Sequence, residues 1–494
     1  MKNFYITSTL PYVNSDPHIG FAMEIIRADV IARYKRSLGY EVFFNTGTDE
    51  HGQKLFESAK ESGVDTQKYV DQNAQKFSDL MKLLNISNDA FIRTTDENHI
   101  KAAQELWRIC KEKGDIYKKN YKMKYCVGCE DEKQDSELDE NGKCPIHPNR
   151  ELEIREEENY FFKFSNYENQ LKELYKNNPN FVIPDFRFNE IKNFVEKGLQ
   201  DFSVSRLKSK MSWGIPVPDD EEHVMYVWFD ALTNYISTLG WGSNNDSNFE
   251  KFWNQSGNEK REVVQYCGKD NLRYQSATWQ GMLMSAGILN STNIIINGFI
   301  TGDGGMKMSK SLGNTINPKD VIEKYGVDAL RYFLLKEVSS FEDSPFTMDR
   351  FKDSYNSGLV NGLGNLTSRI LTMSEKYLTN KDHSRYALEE ELQKKLIQSD
   401  FVKLDFDNFN INSYSQMIWR EISELNKAIT EEEVFKIIKT DIEDGTDKLI
   451  NYISKLSRIA IYLEPMMPKT SETIFSLIKK NKKPETPLFP RIEN

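Results

Sequence analysis

The chain has 494 residues, 38% of them hydrophobic and 12% aromatic, enough for two or three domains with large cores. It holds no apolar run of the roughly 18 residues that cross a bilayer, and its N-terminus lacks the long apolar segment of a signal peptide, so a cytoplasmic protein is expected. Five cysteines, three of them clustered with a histidine, indicate a reducing compartment and a metal site instead of a disulfide framework, while the net charge of −10 is the feature least suited to a nucleic-acid partner, leaving only local basic strips at 192–210 and 479–483.

The β-rich run Phe4 to Thr7 leads through the turn residues Pro11, Asn14, Ser15, Asp16 and Pro17 into a helical pattern. In that pattern Ile19, Ala22, Ile26 and Val30 share one face, and Gly39 supplies the stop. His18 then stands at a helix N-terminus, where backbone N–H groups and the positive end of the dipole favour a phosphate. Gly20 has no side chain to obstruct a flat ring. Glu41 to Asn45 and Phe91 to Thr94 read as strands, and Gly52 to Ser62 and Asp96 to Lys113 as helices, the alternation of a parallel sheet.

From 115 to 210 the spacing predicts an inserted domain, because the alternation stops and cysteines appear. Cys126-x2-Cys129 is followed after fourteen residues by Cys144-x2-His147, the spacing of a tetrahedral zinc knuckle. All ligands are protein groups, so one structural Zn2+ is expected. Strand and helix alternation resumes with Met225 to Phe229, Glu262 to Gly268, Arg273 to Ala286 and Asn293 to Ile300. Then come Gly302-Asp-Gly-Gly305 and Lys307-Met-Ser-Lys-Ser311, a glycine-rich stretch with paired lysines that suits a loop folding over a triphosphate. Ligands of an open sheet bind beyond the carboxyl ends of strands, so His18, Asp49, Asp270 and the lysine loop are expected to converge there. From 351 the pattern is helical to the end, with no extra module expected after Leu488.

His18-Ile-Gly20 and Lys307-Met-Ser-Lys-Ser311, in this order, resemble the signature motifs of the class I aminoacyl-tRNA synthetases. Thr9-Leu-Pro-Tyr12, Thr46-Gly-Thr-Asp-Glu-His-Gly-Gln53, Trp213-Gly-Ile-Pro-Val-Pro218, Tyr226-Val-Trp-Phe-Asp-Ala231, Gly268-Lys-Asp270 and Asp328-Ala-Leu-Arg-Tyr-Phe333 narrow the resemblance to the methionyl-tRNA synthetases. It covers nearly the whole chain. It implies an α/β fold: a Rossmann-like parallel-sheet catalytic domain in halves 1–114 and 211–350, split by the zinc-knuckle insertion 115–210, then an all-α anticodon-binding domain, 351–494. The implied function is that of a cytoplasmic, monomeric methionine–tRNA ligase. ATP with Mg2+ and L-methionine would give methionyl adenylate and pyrophosphate, and methionine would pass to the 3'-terminal adenosine of tRNA(Met), initiator and elongator.

By the same resemblance His18, Lys307 and Lys310 are catalytic and bind ATP together with Gly20 and Ser309. Leu10, Tyr12, Asp49, Trp228, Ala231, Leu232, Tyr235, Asp270, Tyr274, Gln275 and Trp279 take methionine, with Asp49 on the ammonium. Asn365, Arg369 and Phe435 meet the anticodon. The chain departs from the family pattern at Phe21, where a second histidine is usual, at Gln275 for histidine, at Leu232 for proline, and at Val434-Phe435 for Pro-Trp. Other readings compete. The short insertion and the pocket aromatics argue against the leucine, isoleucine and valine relatives, and the paired lysines argue against a binding-only protein.

Overall fold

The computed structural model describes residues 2–129, 131–133, 137–254, 261–306, 308, 315–378 and 396–492. Strands β1 (Asn3–Ser8), β2 (Glu41–Thr48), β3 (Ala90–Arg93), β4 (Val182–Ile183), β5 (Val263–Gly268) and β6 (Asn293–Asn297) form one parallel sheet in the order β3-β2-β1-β5-β6-β4. Val263–Val264 and Ile294–Ile296 are apolar without alternation because both faces of these strands are buried. The strand order reverses between β1 and β5, which pair from Tyr5–Val263 to Ser8–Tyr266. A crevice therefore opens beyond their carboxyl ends.

Helix α1 (Ile19–Ser37) begins directly after His18, and Gly39 ends it with φ of 80°. The single apolar face read from the sequence is buried, but so is most of the rest of the helix, including Arg27 and Asp29. These charges persist inside because each is bonded. The Arg27 guanidinium donates to the carbonyls of Val338, Ser339 and Ser340 at 3.0, 2.7 and 3.1 Å. Asp29 accepts from Arg331 Nη2 at 2.7 Å, and Arg331, fully buried, also donates to Leu84 and Met466 carbonyls. The helix that carries His18 is thus bonded to the segment 331–340 and, through Arg331, tied to the carbonyls of Leu84 and Met466.

The insertion is built on an antiparallel pair, Ile116–Cys126 and Glu153–Phe162, with the cysteine cluster at its tip. Its later part returns to the body of the protein. Leu171, Tyr175, Phe181 and Val182 are buried, and β4 adds to the sheet edge with Val182 opposite Ile294. The expected strand Met225 to Phe229 is corrected: the strand runs Asp220–Met225, pairs antiparallel with Ser205–Leu207 outside the parallel sheet, and gives way after Tyr226 to helix α2 (Val227–Leu232). The aromatic and β-branched residues there pack as a short buried helix, so tertiary context overrides their strand preference.

Beyond 350 the elements are helical, among them α3 (Asn365–Tyr377), and they share one apolar core with α1. Tyr34 of α1 stacks on Phe406 with ring centroids 3.7 Å apart. Among the described residues, no helix is long and apolar enough to cross a membrane.

Candidate active site

A cleft of about 370 Å³ lies beyond the carboxyl ends of β1, β2 and β5. His18, Gly20, Leu10, Tyr12, Asp49, Trp228, Ala231, Leu232, Tyr235, Asp270 and Gln275 all line it. His18 caps α1: its Nδ1 accepts from the backbone N–H groups of Gly20 and Phe21 at 3.1 and 3.4 Å. The first-turn donors expected to meet a phosphate are therefore engaged by the ring, which leaves the imidazole proton on Nε2 as the outward donor. A Cβ at Gly20 would come within 3.0 Å of His18 Cε1, so glycine lets the ring lie against its own helix. Phe21 packs edge-on against Phe77, centroids 5.1 Å apart, and presents only apolar surface to the cleft.

Asp49 is fixed through its backbone. Its N–H donates to the Pro11 carbonyl at 3.0 Å and its carbonyl accepts from Val13 N–H at 3.2 Å, so the Leu10–Tyr12 loop and the carboxylate move as one piece. On the opposite wall Trp228 stacks on Tyr274, centroids 3.7 Å apart and planes at 7°. Tyr235 is bonded from behind: Gln275 Nε2 donates to its hydroxyl oxygen at 2.5 Å, Gln265 Nε2 donates to Gln275 Oε1 at 2.8 Å, and Ser291 Oγ donates to Gln265 Oε1 at 2.5 Å. That chain leaves the Tyr235 hydroxyl its proton, and burial pushes the phenol well above its ordinary range. Trp279 is fully buried and meets Tyr235 edge-on, one layer behind the cleft, because the sheet domain's core surrounds its ring. Tyr274 likewise stands behind Trp228, facing a small cavity bordered by the Arg273–Glu137 ion pair.

The sequence reading missed Glu24 and Lys54, which also line the cleft. Glu24 is buried and accepts Thr9 N–H at 2.9 Å; burial pushes its carboxyl up to about 8, with Asp270 adding to the rise. Its signal was available, since Glu24 lies one turn beyond Gly20 on the same helix face. Lys307, Ser309 and Lys310 lie outside the described residues; Met308 is partly buried against the core.

At the hairpin tip, Cys129 Sγ is 3.2 Å from His147 Nδ1 and 3.5 Å from Cys144 Sγ, and Cys126 Sγ is 3.7 Å from the same Nδ1. The ligand atoms of these residues all fall within 4.8 Å of one another. A tetrahedral zinc with bonds of about 2.1–2.3 Å has edges of about 3.5–3.8 Å, so the cluster fits that ion. A Cβ at Gly128 would lie 2.6 Å from the His147 ring, so this knuckle closes only on glycine. Gly128 and Cys129 also border the cleft.

On the helical side, Asn365 and Arg369 of α3 line a groove with Asn361, Trp419, Asn426 and Thr430. Arg369 Nη1 and Nη2 donate to Thr430 Oγ1 at 3.2 and 3.1 Å. Phe435 is 43% exposed, too open for a core residue, and stands apart from the groove lining.

Residues 4–153 and 131–371 match the family described as tRNA synthetases class I (M). A methionine–tRNA ligase of Thermotoga maritima is 41% identical over 490 residues, spanning 97% of this chain and 76% of that protein. One of Nostoc is 39% identical over 490 residues, spanning 96% and 89%. Mycobacterium tuberculosis methionyl-tRNA synthetase in complex with methionyl-adenylate has the same fold, with a TM-score of 0.87 at 35% identity, covering 97% of this chain and 94% of that one. On these matches the chain belongs to the class I methionyl-tRNA synthetases.

Proposed function

We propose that this chain is a methionine–tRNA ligase. The observation that carries the reading is the meeting in one cleft of an outward imidazole donor at His18, the Asp49 carboxylate, and an apolar pocket walled by Leu10, Trp228, Ala231, Leu232 and Tyr235. Asp49 pairs with the substrate ammonium, and the pocket takes the polarizable thioether, assisted by Tyr12, Asp270 and Gln275 and braced from behind by Tyr274 and Trp279.

The methionine carboxylate then attacks the α-phosphorus of ATP in line. A carboxylate oxygen–phosphorus bond forms, the bond to the bridging oxygen breaks, and pyrophosphate leaves with that electron pair. His18 Nε2–H donates to a phosphoryl oxygen beside Gly20, while Lys307, Ser309 and Lys310 serve the triphosphate; ATP enters as its Mg2+ complex. In the second step a hydroxyl of the tRNA terminal adenosine attacks the activated carbonyl, the bond from that carbon to the phosphate oxygen breaks, and AMP departs with the electron pair while the hydroxyl proton passes to its phosphate.

Cys126, Cys129, Cys144 and His147 would hold one zinc ion, which when bound cross-links the hairpin tip and takes no part in chemistry. The halves 1–114 and 211–350 act as the catalytic unit, 115–210 as the connecting insertion and 351–494 as the anticodon reader, with Asn365 and Arg369 hydrogen-bonding to splayed bases and Phe435 stacking. The protein works as a cytoplasmic monomer on initiator and elongator tRNA(Met). Charging of both transcripts with labelled methionine tests this: both are expected to be esterified, and a transcript with a changed anticodon to be charged poorly. Failure to charge either one, or indifference to the anticodon, would contradict it.

A further inference from the structure

Asp230 lies on α2 between Trp228 and Ala231, faces away from the cleft, and is fully buried. Its Oδ2 is 2.7 Å from His51 Nδ1, and its Oδ1 is 2.7 Å from His99 Nε2. The other nitrogen of His99 is 2.9 Å from Ser237 Oγ, in the same short helix as Tyr235, Asn234–Ser237. Burial alone would raise the Asp230 pKa, but the two imidazoles more than offset it and hold the carboxyl below its ordinary range, so it is an anion accepting from a ring N–H on each side.

These contacts join three separate elements. His51 sits two residues beyond Asp49, on the loop whose other end is tied to Pro11 and Val13. His99 belongs to the helix Glu97–Glu112, which packs behind the pocket. Asp230 is the only carboxylate within the pocket helix α2. A buried anion with paired donors has one low-energy geometry, because losing either partner leaves a charge uncompensated.

We infer that Asp230, acting through His51, is a positioning residue that sets the distance between the Asp49 carboxylate and the thioether wall of α2, and so the length of amino acid the cleft accepts. This rests on the methionine-activating reading above. Asp230→Asn keeps the shape and can exchange one hydrogen bond by a tautomer switch at His51, whereas His51→Gln, with no group at the Nδ1 position, cuts the arm that reaches Asp49 and leaves the His99 arm in place. His99→Asn keeps a polar atom near the Nδ1 position that faces Ser237 but removes Nε2, so it cuts the arm to the scaffold.

Methionine binding by calorimetry, and the KM values for methionine and ATP in pyrophosphate exchange, separate the roles. His51→Gln is expected to weaken methionine binding at least about tenfold, since a misplacement of about 1 Å in a fitted site is felt on that scale or more, while the ATP KM stays within about twofold; Asp230→Asn, which keeps both contacts, is expected to stay within about threefold of wild type. His99→Asn is expected to lower Tm with a smaller effect on methionine. Unchanged methionine affinity in folded His51→Gln, or equal losses for methionine and ATP, would overturn the inference while leaving the function intact. A wild-type chain that fails to bind methionine would overturn both.

Discussion

The cleft and the groove beside α3 are assembled in opposite ways. At the methionine end of the cleft the wall side chains have packed or bonded partners behind them: Trp228 lies on Tyr274, Tyr235 accepts from Gln275, and Asp230 bridges two histidines behind α2. In the groove Asn365 is exposed, and Arg369 rests on Thr430, which is itself exposed. A small ligand with one weak polar atom is selected by a rigid outline, which needs support from a second layer. Unstacked bases bring their own polar edges and can be met by adaptable surface side chains. Changes behind the cleft wall should therefore propagate to the substrate, whereas changes in the groove should act one contact at a time.

The sharpest way to break that contrast is at His18. His18→Ala is expected to lower exchange kcat about 100- to 1,000-fold, the scale of one lost oxyanion-type donor, with methionine affinity within a few fold of wild type. His18→Asn retains a helix-capping acceptor and separates loss of the cap from loss of the Nε2 proton. A matching collapse of methionine affinity in His18→Asn would show that the histidine shapes the pocket instead of serving the phosphate.

Next in size is the metal. Elemental analysis is expected to find one zinc per chain, and chelation or Cys126→Ser to lower Tm and depress exchange about tenfold, because Gly128 and Cys129 border the cleft. Full activity in metal-free protein would detach the knuckle from the cleft. On the other side of the comparison, Arg369→Ala is expected to raise the KM for tRNA about tenfold while leaving exchange unchanged, the signature of a single local contact. A fall in exchange would mean that the groove is wired to the cleft after all.

The smallest effect concerns stability. Burial pushes Glu24 up to about 8 from its ordinary 4.5, so the folded state favours its neutral form. The stability associated with that protonated carboxyl is fully present below about pH 4.5, where folded and unfolded chains are both protonated, and is lost as pH rises through about 8. Glu24→Gln stays neutral throughout. The Tm of the variant relative to wild type is expected to climb between about pH 5 and about pH 9, and a flat difference would contradict the buried, proton-holding assignment.

What was legible in the sequence was what is local. The strand–loop–helix around His18 follows from turn residues and helical spacing, and the cysteine cluster from short-range spacing, so both emerge without knowledge of the fold. The seat of β4 at the sheet edge was not legible, because Val182 meets Ile294 from far along the chain, with several helices and strands between, and two residues carry no pattern. Met225 to Phe229 has strand composition but folds mainly as α2, where the core decides. Tyr274 and Trp279 share the aromatic character of Trp228 and Tyr235; only the packing order distinguishes the layer that faces the cleft from the layer that supports it. Glu24 and His99 read as ordinary polar positions, and His51 and Asp230 as motif residues without a role, until burial shows that each must be bonded.

The central claim is that this rigid, braced cleft admits one side chain. ATP–pyrophosphate exchange run with each standard amino acid in turn tests it most directly. The account predicts exchange with methionine alone. Exchange with a different amino acid would overturn the assignment of the pocket, and exchange with none would overturn the activation chemistry itself.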